Sequence, residues 1–391
     1  ITHVSYPAGS FLIDVPAMAL GFHHRVVDWM DLLAWVITVV LLFALLPVAL
    51  RWVAGILVLT PLFIGMFGSG GTDAAVLPFL VLAVWRWDRF GTGRTAGLAA
   101  WIGPIALGAA CTIKQLAWFC LPFLAIGVAL EARYSGRRAL LVTGRYLGTV
   151  IAVFGVVNAP FIVWGPAAWL RGTLTPFVQP MVADGQGLVT LATHGLTGGV
   201  SLSLLDVAAL CALVAALASY AIWYPLLKRV WPLLMPIVFF FSPRSLSSYL
   251  VDLFPIAIIA ACTVAPAQRR VDDLPARISR RLKMLVALPV VGVVIASALA
   301  FSSTQLQIAV RSVSTSKTGS TIDALTIAVT NRTGAPISPH FLVNAGNNPA
   351  GFWLPVNHRR FVVAAYRSET VTIEPPARTI APQRGANWLV E

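Results

Sequence analysis

Ten apolar runs, separated by short clusters of charge, occupy the first three quarters of this 391-residue chain, at 30–50, 52–68, 74–87, 95–112, 116–130, 139–164, 201–223, 230–241, 248–265 and 284–301. Each run must be buried in protein or in lipid. Only 11% of the residues are charged, against roughly 25% in a soluble domain, so the chain has no polar shell with which to hide them all. A soluble enzyme and a disordered or collagen-like chain are excluded. Continuous rather than alternating apolarity argues against a β-barrel. The expectation is an all-α polytopic membrane protein with about ten transmembrane helices. Several runs fall short of the ~20 residues a bilayer requires, and Pro232 and Pro236 interrupt one of them. Such segments are expected to be broken helices lining a cavity rather than facing lipid.

The formal charge is +13. In a membrane chain this excess reads as cytoplasmic loop charge, and no nucleic-acid partner is expected. Assigning alternate loops to the cytoplasm puts sixteen basic residues on that side: Arg51, Arg86–Arg94, Arg133–Arg145, Lys228–Arg229 and the run from Arg269 to Lys283. The opposite side of the membrane portion holds four: Arg25, Lys114, Arg171 and Arg244. The bias predicts a plasma-membrane, multi-pass protein with residues 1–29 and 302–391 extracytoplasmic. The lipid bilayer is then an obligatory partner.

From residue 302 the chain becomes polar and alternating, in LQIAVRSVST, TIDALTIAVTN, HFLVNAG, FVVAAY and ETVTIEP, with turn signals between. This predicts a small extracytoplasmic β-sandwich over 302–391, following a transmembrane domain over 1–301. The sandwich reads either as a rigid cap or as a glycan-binding module stacking sugars on Trp353, Phe352, Tyr366 or Trp388. The four cysteines all lie in apolar stretches, without metal-ligand or CxxC spacing; no cofactor is expected, with a divalent metal as the open alternative.

Four constellations sit at the predicted external helix ends. Ser5-Tyr6-Pro7-Ala8-Gly9 opens the chain. A glycine-rich turn at 68–73 ends in Asp73. Lys114-Gln115-Leu116-Ala117-Trp118-Phe119 occupies a helix junction. Ser242-Pro243-Arg244-Ser245 precedes Tyr249-Leu250-Val251-Asp252. A lysine and an arginine on one interface form an anion site, the lysine as a point charge and the arginine as a bidentate fork, at the depth of a membrane-bound phosphate. The bland alternative is that each snorkels to lipid headgroups.

In this order the motifs Tyr-Pro-x-Gly, Lys-Gln-x-x-Trp-Phe-x-x-Pro and Ser-Pro-Arg-Ser-x-x-x-Tyr-Leu-x-Asp-Leu-x-Pro resemble the GT-C superfamily of membrane glycosyltransferases. They are most similar to the polyprenol-phosphate-sugar-dependent enzymes of actinobacterial envelopes, including glycosyltransferase family 87. The resemblance spans residues 1–266. It implies hexosyl or pentosyl transfer from a polyprenyl-phosphate sugar donor to an envelope glycan or glycolipid acceptor on the extracytoplasmic face. Tyr6, Lys114, Gln115 and Arg244 would hold the donor phosphate, and Trp118, His194, Tyr249 and Asp252 would contact substrate. An acceptor hydroxyl would attack the anomeric carbon, a carboxylate would take its proton, and the lipid phosphate would leave. In such enzymes the base is an acid just before the Tyr-Pro motif. This chain begins five residues before Tyr6, so the base is expected upstream of Ile1, with Asp14 and Asp73 as the candidates within the chain. For Asp73 the alternative role is a helix N-cap. The rival classes are a transporter or flippase of lipid-linked sugars, which predicts mid-helix charges and an internal repeat, and a non-catalytic lipid- or glycan-binding protein.

Overall fold

The computed structural model describes residues 6–22, 25–68, 72–95, 97–178, 184–193, 200–266, 280–302, 306–316, 322–339, 341–344, 349–357, 361–375 and 389–390. The chain is mostly helical. Its principal helices are α1 (Val26–Leu45), α2 (Asp73–Val84), α3 (Ile102–Ile113), α4 (Leu116–Tyr134), α5 (Ala139–Trp164), α6 (Leu202–Ile222), α7 (Ser247–Thr263) and α8 (Arg280–Ser302).

Among the described residues, α1, α4, α5, α6 and the Met284–Ser302 portion of α8 are long and apolar enough to cross a membrane. These five helices mark a membrane-embedded, multi-pass protein. A sixth span is counted if Asp73–Thr92 and Gly97–Ile113, which meet at 112°, are one broken crossing. About ten spans were expected; among the described residues, five or six helices meet this length and apolarity, and the other runs form shorter apolar helices. Two of the runs are cut at prolines. Pro47 ends α1 early, because it has no N–H to offer the helix and pushes Leu46 into an extended conformation. Pro61 restarts the chain after a break, so the run at 52–68 becomes helices Arg51–Val58 and Pro61–Ile64. A 12-residue helix such as α2 or α3 reaches only ~18 Å at ~1.5 Å per residue, against ~30 Å of hydrocarbon.

The chain folds into two compact units. The first combines Ile1–Gln179, Leu213–Val238 and Ser247–Pro289, and the second Pro180–Ala212, Phe239–Leu246 and Val290–Glu391. In the first unit the short helix α2 is the hub. It packs against α1, α3 and α7, and nine of its twelve residues are buried. A helix apolar all round can be stable only when surrounded. By contrast α5 leaves Ile151, Val156, Val163 and Trp164 uncovered by protein, as a lipid-facing helix does.

The second unit contains an antiparallel sheet built from β1 (Leu306–Thr315), β2 (Ile322–Asn331), β3 (Phe341–Asn344), β4 (Pro349–Pro355), β5 (Ser368–Glu374) and β6 (Leu389–Val390). Its order is β1-β2-β5-β4-β3-β6. Period-two burial of Leu325, Ile327 and Val329 sets the β2 register, and these join Phe341, Val343, Trp353, Val363 and Ile373 in one core. The two sheets of a sandwich were expected, but among the described residues hydrogen bonding runs through a single sheet. The reason is β4, which pairs with β3 through Phe352 and Trp353 and with β5 through Leu354 and Pro355.

Candidate active site

Two buried ion clusters occupy opposite ends of the same three helices in the first unit. Asp73 is the first residue of α2, Lys114 lies two residues before α4, and Asp252 sits in the second turn of α7. The three meet. Lys114 Nζ donates to Asp252 Oδ2 at 2.7 Å and to Asp73 Oδ1. At the far ends, Asp88 follows α2, Glu131 lies in the last turn of α4 and Ala265 follows α7. Lys228 Nζ bridges Glu131 Oε1 at 2.8 Å and Asp88 Oδ2 at 3.3 Å, and the Ala265 N–H reaches Asp88 Oδ2 at 3.3 Å. The three helices therefore run in the same direction, from the Lys114 cluster to the Lys228 cluster. Arg86–Arg94, Arg133–Arg138 and Lys228–Arg229 collect at the second end, so the charge bias read from sequence has a geometric counterpart.

Lys114 is 2% exposed and Asp252 fully buried, whereas the Asp73 side chain keeps 18% of its surface. Burial alone would pull the Lys114 ammonium down. The Asp252 and Asp73 carboxylates outweigh it and hold the lysine charged, above its ordinary range. The Tyr249 ring covers the ammonium, with its centroid 4.8 Å from Nζ. Tyr249 and Asp252 are three residues apart on α7 and so share a face. Asp252 Oδ1 and Thr72 Oγ1 are buried with no hydrogen-bond partner among the described residues. Asp73 is not an N-cap. Thr72 holds that position without a side-chain bond, and the Asp73 carboxylate turns to Lys114.

The N-terminal motif docks at the same end. Asn158, fully buried on α5, accepts from the Ala8 N–H and from Trp169 Nε1, both at 3.0 Å, and donates to the Phe154 carbonyl. Gly9 lies flat on Thr112, two residues before Lys114, where any Cβ would overlap the Thr112 hydroxyl and carbonyl. Gln115 donates to the Thr173 carbonyl at 3.2 Å, and Trp118 Nε1 to the Cys111 carbonyl at 2.9 Å. Tyr6 remains 37% exposed.

Asp73, Lys114, Tyr249 and Asp252 come together, and Gln115 and Trp118 flank Lys114 along the chain. Asp14 begins the short helix Val15–Ala19, makes no capping bond, and its carboxyl is pushed up by partial burial. Arg244 belongs to the second unit, in a two-residue strand paired with Asp184–Gly185. Its Nε is buried with no hydrogen-bond partner among the described residues. His194, Ser5, residues 69–71 and Trp388 lie outside the described residues. The Lys228 cluster was not anticipated. Its signal was visible, because Lys228 is one of only four lysines in the chain and is framed by apolar runs. Tyr224 donates to Glu131 Oε1 at 2.6 Å, while the buried Tyr220 hydroxyl and Asp88 Oδ1 have no partner among the described residues.

No protein-family model, curated protein or solved structure matches the chain.

Proposed function

We propose that the chain is a membrane glycosyltransferase moving a sugar from a polyprenyl-phosphate donor to an envelope glycan or glycolipid acceptor on the extracytoplasmic face. The Asp73–Lys114–Asp252 cluster carries this reading. It places a partly exposed carboxylate at a helix start, beside a buried lysine and an aromatic ring. In the proposed step the acceptor oxygen bonds to the anomeric carbon, Asp73 takes the hydroxyl proton, and the bond from sugar to lipid phosphate breaks. The α2 N-terminus and Lys114 hold the Asp73 side chain in place. Lys114 then acts as a positioning residue rather than a phosphate ligand. A phosphate approaching it would meet two carboxylates for one ammonium, a net negative cluster. Arg244, named from sequence for the donor phosphate, belongs to the second unit and has no part in this step.

The test is release of polyprenyl phosphate by the full-length protein in proteoliposomes, supplied with polyprenyl-phosphate hexose or pentose and an envelope glycan. The expected result is turnover by the wild type, lowered about a hundredfold or more in Asp73→Asn. Absence of turnover with every donor would end the proposal.

A second reading, transport of a lipid-linked sugar, draws on the Lys228 cluster. Buried ionisable groups within apolar helices commonly mark translocation paths. Flipping of a fluorescent lipid-linked sugar across proteoliposomes without an acceptor would favour it over transfer.

A further inference from the structure

Tyr366 combines two properties that rarely coincide. It is 72% exposed, and its φ is 54°, in the left-handed region that a bulky side chain seldom enters. Such a conformation costs free energy and persists only where the surroundings impose it. They do so here through Asn331, which is fully buried. Its Nδ2 donates to the carbonyls of Ala335 at 2.7 Å, Val363 at 3.1 Å and Ala364 at 3.2 Å, and its Oδ1 accepts from the Thr333 N–H and hydroxyl, both at 2.8 Å. The Tyr366 N–H then bonds the Thr333 carbonyl at 3.2 Å. The ring lies along Gly334, where an added Cβ would come 3.2 Å from the phenol oxygen. The sheet core is complete without Tyr366. The fold thus spends strain to display an aromatic ring that contributes nothing to its interior.

We propose that Tyr366 is the stacking platform of a saccharide-binding site on the C-terminal sheet. The apolar C–H face of a sugar ring fits a flat aromatic surface that is open to solvent. The exposed Arg332 and Arg367 flank the ring in sequence and across the turn, and they supply donors for sugar hydroxyls. Arg332 is braced by Gln307 Oε1 at 2.6 Å. With two exposed arginines close by in the chain, the class that fits is a glycan without cationic groups. Among the aromatics named from sequence, Trp353 is excluded because it is 1% exposed in the core. The proposal does not depend on the glycosyl-transfer reading.

The test is affinity electrophoresis of the full-length protein in detergent, through gels containing mannan, dextran or arabinogalactan. The wild type should be retarded by at least one of them. Tyr366→Ala should weaken binding about tenfold, while Tyr366→Phe, which keeps the ring, should stay within about threefold. Tyr366→Gly should lose binding with an unchanged or raised melting temperature, because glycine accepts the positive φ without strain. The proposal is overturned if no polysaccharide retards the wild type or if Tyr366→Ala binds as the wild type does. It is equally overturned if Tyr366→Gly lowers the melting temperature, since the ring would then be holding the turn. Binding confined to anionic lipid vesicles would assign Tyr366 to a membrane interface and overturn it as well.

Discussion

Lys114 and Lys228 are two of four lysines in the chain, and each is buried between two carboxylates. Removing the cation from such a cluster leaves buried negative charge without a counterion, which typically costs about 3–5 kcal/mol. Lys114→Ala should therefore lower stability by about that amount, whereas Lys114→Met combined with Asp252→Leu should recover most of it, because an apolar pair of similar volume needs no counterion. Thermal unfolding in detergent micelles distinguishes the two, and a Lys114→Ala protein within about 1 kcal/mol of wild type would contradict the buried cluster. As a positioning residue, Lys114 should also shift the pH profile of turnover when replaced, a change that mere loss of stability would not cause. Each member of this cluster was legible from sequence as a polar residue at an apolar helix end. Their meeting was not legible, since Lys114 is 41 residues from Asp73 and 138 from Asp252. Nothing local in the sequence encodes which helix ends converge, because tertiary packing around α2 decides it.

At the scale of elements, apolar run length was a good guide for the longest runs, even where they carry Pro122 or Pro160. The run at 139–164 is a single helix with those bounds, and that at 116–130 continues to Tyr134. The runs holding Pro47, Pro61 and Pro232 are divided near those prolines, whereas Pro122, Pro160, Pro255 and Pro289 sit inside continuous helices, so a proline alone did not mark the breaks. The common direction of α2, α4 and α7 gives a prediction of its own. Lys228→Met should destabilise the protein about as much as Lys114→Ala, ~3–5 kcal/mol, because it orphans Asp88 and Glu131. Arg137 should matter less. It donates to the Phe90 and Gly91 carbonyls at 2.9 and 2.8 Å from an exposed position, so Arg137→Ala should cost about 1 kcal/mol. The docking of Gly9 on Thr112 is a sharper constraint. Gly9→Val should force the Tyr6–Ala8 segment off α3, break the Ala8–Asn158 bond and raise protease sensitivity at the N-terminus without unfolding the helical unit. Unchanged proteolysis of Gly9→Val would show that the segment is not held there.

For the whole molecule, the proposed orientation puts residues 302–391 outside the cell. External protease on intact spheroplasts should then cut this region, and protection until lysis would refute both the orientation and the proposed face of catalysis. A change of composition at residue 302 was enough to anticipate a separate β-rich region. It was not enough to show that one sheet, rather than two, carries the core, since that depends on β4 changing partners midway. The account rests finally on Asp73 as the reacting carboxylate, and a single comparison addresses it. Turnover of polyprenyl-phosphate sugar should be measured for the full-length wild type, Asp73→Asn and Asp73→Glu at equal, verified membrane insertion. The account predicts a loss of ~10²–10⁴-fold in Asp73→Asn with partial recovery in Asp73→Glu, the range expected when a general base is removed and then restored at altered reach. Turnover by Asp73→Asn within a few-fold of wild type would contradict it.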